Sequence, residues 1–182
     1  MTLRIDGRAR AQFCREIEES SGEKVSLCYQ CGKCTAGCPV AYAMDYTPNQ
    51  VVRMAQLGMR REVLGSKSPW LCSSCFGCAT RCPMGISITR IMDAVRIIAQ
   101  KEHVASRETT VPAFNRLFLR SVKRHGRLHE LGLIVAYNLS SGQPFKDFRK
   151  GPRMLFRTGM RLLPVNASRE AVRRIFSEQD RR

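Results

Sequence analysis

Apolar residues recur at three- and four-residue steps along most of this 182-residue chain, and that spacing predicts helices. Residues 8–20 form the first, with Phe13 and Ile17 four apart and Cys14 beside them as a small core residue. Thr47-Pro48 opens a second, which carries Val51, Val52, Met54, Ala55 and Leu57 to a stop at Gly58. A short segment over 60–64 runs to Gly65, and Ser68-Pro69 starts one more turn through Trp70 into Cys72. Residues 87–105 carry Ile88, Ile91, Met92, Val95, Ile98 and Ala99 on one face, with Ser87 placed as N-cap. Beyond residue 106 the stripes continue: Phe114, Leu117, Phe118 and Val122 within 111–125, then an apolar segment over 128–139 broken by Ser140-Ser141-Gly142. A basic apolar stretch over 152–163 closes at Pro164, and a last helix follows Ser168 through Val172, Ile175 and Phe176. No period-two alternation marks a strand. The pattern predicts a mainly α protein.

Composition adds direction to this picture. An apolar content of 43% suffices for a core. The longest apolar run, residues 131–137, is far too short to cross a bilayer, and the first ten residues show no secretory apolar region. These features predict a cytoplasmic protein without a transmembrane segment. The formal charge of +16 is uneven: residues 1–82 hold 11 Lys and Arg against 7 Asp and Glu, whereas residues 83–182 hold 20 against 8. A basic second half suits an acidic protein partner, nucleic acid or an anionic membrane.

The chemistry sits in the cysteines. Cys28, Cys31, Cys34 and Cys38, followed by Pro39, read C-x2-C-x2-C-x3-C-P. Cys72, Cys75, Cys78 and Cys82, followed by Pro83, repeat it. This is the two-cluster ferredoxin spacing, in which three thiolates of a run hold one [4Fe-4S] cube and the fourth holds the other cube. One set is then Cys28, Cys31, Cys34 and Cys82; the other is Cys72, Cys75, Cys78 and Cys38. Gly32, Ala36 and Gly37 in the first run, with Gly77 and Ala79 in the second, are small where a loop passes close to a cube. Zinc sites use paired ligands rather than four cysteines in eleven residues twice over. A disulfide framework belongs to secreted chains.

Other features carry less. His125 and His129 stand four apart with Gly126 between them and no glutamate completing a metal motif, which makes them surface residues. No phosphate-cradling glycine loop, no Ser/His/Asp set and no paired carboxylates stand out, so no catalytic residue is assigned.

At CYQCGKCTAGCPV and LCSSCFGCATRCPMGISI the chain resembles HdrC, the C subunit of heterodisulfide reductase, and TPNQVVRMAQLG resembles that family's inter-cluster helix. The resemblance spans about residues 10–105. It implies an α-helical ferredoxin fold, expected over residues 1–106. The basic charge and the surplus apolar stripes of residues 107–182 predict a helical extension that docks partners. The resemblance also implies a relay through two [4Fe-4S] clusters between an HdrA-like flavoprotein and a catalytic HdrB-like protein with CCG-type cysteine motifs. The relaying chain then binds no organic substrate itself. No cysteine follows Cys82, which points to a stand-alone HdrC-like protein rather than a chain with its own CCG domain. Two functions of other kinds compete: a nucleic-acid-binding iron–sulfur protein and a freely diffusing ferredoxin-like carrier. A second cluster and few aromatics for base stacking argue against the first, and some hundred residues beyond the cluster module against the second.

Overall fold

The computed structural model describes residues 7–142 and 168–179. The predicted stretch over 152–163 lies outside them. Among the described residues there is helix and no strand, as the apolar periodicity requires. The chain packs as two units, Met1–Thr109 and Thr110–Arg182.

The first unit opens with α1 (Gly7–Ser21) and a 3-10 turn at Val25–Leu27. Then come α2 (Lys33–Ala36), a second 3-10 turn at Ala41–Ala43, and α3 (Pro48–Gln56). Next are α4 (Arg60–Leu64), α5 (Ser68–Leu71), α6 (Gly77–Thr80) and α7 (Ile88–Lys101). The long helices α1, α3 and α7 pack on one another. Phe13, Ile17, Val51, Val52, Ile91, Met92 and Val95 close their shared core, joined by Val25, Val63, Leu64 and Ile88. Cys14 is half-buried at the edge of that core rather than inside it. The apolar stripe of α7 sets its rotation, and the helix stops at Lys101, four residues short of the periodic pattern.

Local chemistry explains the ends. Thr47 and Gln50 form a reciprocal capping box on α3, with proline in the first turn. Gly58, at φ +73°, lets the chain leave that helix in the left-handed region. Ser87 occupies the N-cap position of α7, but its buried hydroxyl makes no capping bond. Instead its backbone N–H donates to the Glu23 carboxylate at 3.0 Å. Asp45 ties the exit of the first cysteine run to the approach of the second. Its carboxylate accepts from the Lys67 N–H at 2.9 Å, the Ser68 N–H at 3.1 Å and the Ser68 hydroxyl at 2.7 Å. Burial works against that charge, yet these donors outweigh it and hold the carboxyl below its ordinary value. Arg60 joins three helices: it pairs with Glu16 of α1 and with Glu102 at the end of α7, and lies 4.9 Å from the Phe13 ring centre.

The second unit contains α8 (Thr110–His125), α9 (Glu130–Ser140) and α10 (Arg169–Gln179). Phe114 meets Tyr137 edge-on at 5.7 Å, and Lys123 lies 5.4 Å from the Phe176 ring centre. Among the described residues of this unit only Leu133 and Asn138 are buried. His129 caps α9: its Nδ1 accepts from the Gly132 N–H at 3.2 Å in an exposed position. A Cβ at Gly132 would stand 2.5 Å from that nitrogen, so the cap requires the glycine.

Candidate iron–sulfur sites

The two cysteine runs fold alike because they place the same backbone conformations at the same register. Cys28 aligns with Cys72, so Gln30 aligns with Ser74 and Gly32 with Phe76. All four have positive φ: +65° and +52° at the first pair, +76° and +59° at the second. Each run thus turns twice through the left-handed region before a short helix, α2 or α6, begins. The glycines therefore act differently from one another. Gly32 supplies a left-handed backbone, and its counterpart is Phe76, not Gly77. Gly37 lies under the Arg81 side chain, which a Cβ would strike. Gly77 sits 3.9 Å, measured from an ideal Cβ, from the Gly37 carbonyl where the two runs meet.

The runs cross over. Cys38, the last cysteine of the first run, lines one narrow cavity with Cys72, Cys75 and Cys78 of the second. Val40, Met44, Pro48, Ile88 and Met92 complete its walls, so it is apolar apart from the sulfurs, Ser73 and Thr89. On the other side, partial desolvation pushes the exposed Tyr29 hydroxyl up, and Cys31, Cys82 and Cys28 add to that shift. No three His, Cys, Asp or Glu side chains among the described residues converge on a point where one metal ion would sit. Cys38, Cys72, Cys75 and Cys78 instead line the cavity between the two runs.

The donor set fits [4Fe-4S] clusters. Burial pushes the thiols of Cys34 and Cys72 up, and the positive charge of a bound metal would favour their ionised, ligating form. Cys75 behaves oppositely: the Gly77 backbone N–H and the Ser73 hydroxyl draw its thiol down. Such donors to sulfur also tune a cluster's potential. The Gln30 side-chain amide lies 3.3 Å from the Cys28 sulfur, and the buried Thr89 hydroxyl 3.5 Å from Cys78. Gln56 braces the first run by donating to the carbonyls of Val25 at 2.9 Å and Cys28 at 2.8 Å.

Cysteine spacing signalled none of Gln30, Gln56, Phe76 and Thr89 as part of the site. Aligning the two runs residue by residue exposes Phe76 and the left-handed positions. Thr89 and Gln56 carry no local signal, because each comes from a helix that only packing brings to the loops.

Comparison with known proteins agrees with this geometry. Residues 24–86 match the 4Fe-4S dicluster domain family. The C subunit of the H(2):CoB-CoM heterodisulfide,ferredoxin reductase of Methanothermobacter thermautotrophicus is 30% identical over 95 residues, 52% of this chain and 51% of its own. The iron-sulfur C subunit of the CoB--CoM heterodisulfide reductase of Methanopyrus kandleri is 38% identical over 86 residues, 47% and 45% of the two chains. The corresponding C 2 subunit of Methanocaldococcus jannaschii is 34% identical over 116 residues, 63% and 62%. The chain thus spans about half the length of the curated relatives it matches. The resemblance to the C subunit of heterodisulfide reductases is borne out, and residues 24–86 are similar to iron–sulfur domains of the 4Fe-4S dicluster type.

Proposed function

We propose that this chain, a helical iron–sulfur protein related to the C subunit of heterodisulfide reductases, relays electrons between two partner proteins. The observation that carries the proposal is the cavity shared by Cys38 with Cys72, Cys75 and Cys78, because cross-ligation holds two clusters side by side in one rigid unit. Two [4Fe-4S] clusters, when bound, supply one-electron chemistry. Cys28, Cys31, Cys34 and Cys82 hold one of them, and Cys72, Cys75, Cys78 and Cys38 hold the other. The Thr89 hydroxyl and the Gln30 amide, within reach of the Cys78 and Cys28 sulfurs, would donate to them once these are cluster thiolates and so favour the more negative, reduced state. Val40, Met44, Ile88 and Met92 keep water from the second site. Cys31 and Cys75 are exposed, so each site has an edge that a partner can approach.

The proposed partners are an HdrA-like flavoprotein and an HdrB-like protein with CCG motifs, with residues 107–182 as part of the docking surface for them. The chain itself acts on no organic substrate and works in the cytoplasm. Anaerobic reconstitution followed by iron analysis and an EPR-monitored redox titration tests the relay. About eight iron atoms and two separately reducible signals are expected. Iron nearer half that amount, or stoichiometric zinc, refutes it. Mass spectrometry of proteins co-purified without oxygen then tests the two partners by identity.

A further inference from the structure

Polar side chains beside the first cysteine run form one directed chain of hydrogen bonds that ends on a ligand sulfur. It starts at a backbone donor. The N–H of Asn49, in the first turn of α3, donates to the Thr35 hydroxyl oxygen at 3.2 Å. Such an N–H has no carbonyl within its own helix to meet. The Thr35 O–H donates in turn to the Asn49 side-chain Oδ1 at 2.5 Å, where the Thr47 O–H also arrives at 2.8 Å. Oδ1 accepts both, and the Asn49 Nδ2 donates to Gln30 Oε1 at 3.4 Å. Gln30 then turns its Nε2 to the Cys28 sulfur at 3.3 Å.

The polarity of this chain is fixed at its root. A backbone N–H can only donate, so each group downstream is set in turn. Reversing the Gln30 amide would bring its oxygen against the sulfur and its NH2 against that of Asn49. Gln30 itself stands at φ +65°, in the left-handed region, which brings a long polar side chain to a position where glycine would be unstrained. The second run is served differently. Ser74 holds the Gln30 position and its hydroxyl accepts from Arg96 at 3.3 Å, while Thr89 of α7 faces Cys78.

We propose that Asn49 is a positioning residue for the first cluster, the one held by Cys28: it holds the Gln30 amide toward the Cys28 sulfur and so raises the reduction potential of that cluster and not of the other. The proposal rests on the electron-relay function and adds the residues that set the level of one of its two sites. A donor to a ligand sulfur favours the more negative, reduced state, and donors linked in series polarise one another.

The test is an EPR-monitored redox titration of the full-length chain with both clusters loaded, kept anaerobic. The first cluster's signal is the one that Cys28→Ser alters, and the second signal is the internal standard. Asn49→Leu removes the donor to Gln30 without adding charge. It should move the first midpoint to a more negative potential, by at least a threefold change in the ratio of reduced to oxidised cluster at a fixed potential, and leave the second unmoved. Asn49→Ala repeats the measurement in a side chain that suits the helix, should the leucine prevent loading. Gln30→Met removes only the last bond and should shift the first midpoint alike. Asn49→Ala added to Gln30→Met should shift it no further, a result that general loosening of the loop does not produce. Absence of two reducible signals in the unmodified chain overturns the relay. Two signals with the first moved less than twofold by the Asn49 variants, with both moved equally, or with additive shifts in the double variant, overturn the role of Asn49.

Discussion

The two cysteine runs share spacing, backbone turns and ligand type, and they differ in what surrounds them. The first is held from within its own neighbourhood. Gln56 of α3 binds the carbonyls at both ends of the 3-10 turn that feeds Cys28, and Cys34 is buried. The second rests on α7: Thr89 reaches Cys78, and Arg96 reaches the Ser74 hydroxyl at 3.3 Å. The first run turns on a glycine, and the second turns on an exposed phenylalanine. Four thiolates at fixed spacing thus dictate the shape of the loop, and residues between and behind them are free to diverge. Because donors to sulfur help set a cluster's potential, unlike surroundings would give two bound clusters unlike potentials.

The largest effect comes from exchanging the shared ligands. Cys38→Ser should damage the signal of the cluster held mainly by the second run, because Cys38 lines the cavity of Cys72, Cys75 and Cys78. Cys82→Ser should damage the cluster of the first run. Both should also lower stability, since ligation and folding are coupled. EPR of each variant decides the matter: damage confined to the run that was mutated would mean that the runs are separate sites and that the comparison is drawn between the wrong ligand sets.

Much of this was legible in the sequence. Helix α3 announced itself by Thr47-Pro48 and Gly58, and α7 by six apolar residues on one face. The cysteine spacing named the cofactor. What stayed hidden depends on distance along the chain. Asp45 caps the approach to the second run from more than twenty residues away, and no local pattern marks it. Ser87 looked like a cap, but Glu23, sixty-four residues earlier, takes its backbone N–H. Phe76 hid for another reason. Propensity places glycine, asparagine or aspartate at a left-handed turn, and a phenylalanine there contradicts the rule that would find it.

The strap between the runs gives the next effect. Asp45→Asn keeps the size of the side chain but removes the charge that accepts from Lys67 and Ser68. A loss of about 2 kcal/mol is expected from hydrogen bonds to a charged acceptor. The pH dependence has a definite sign. The folded carboxyl titrates below its ordinary value, so its contribution is complete above that ordinary value, near 4. It is lost as pH falls through the lower, folded value. Anaerobic urea denaturation of the unmodified chain and of Asp45→Asn, compared between pH 7 and the acid range, should show the gap narrowing on acidification. A gap independent of pH would mean that the charge of Asp45 does not join the runs.

The smallest effects, and the sharpest on the comparison, come from the aligned pair Gly32 and Phe76. Alanine at position 32 must adopt φ +76° and should cost about 1–2 kcal/mol. The first run would then carry the strain that the second already bears. Phe76→Gly works in reverse and should change stability by less than about 0.5 kcal/mol. Relief of the left-handed strain, about 1 kcal/mol or more, is offset by the extra freedom that glycine gives the unfolded chain and by the modest apolar area lost from a side chain 47% exposed. Denaturant titration of both variants with clusters loaded measures the contrast. A loss of several kcal/mol in Phe76→Gly would show that the ring packs within this fold. A near-zero change would leave a strained, exposed aromatic that contributes nothing to stability.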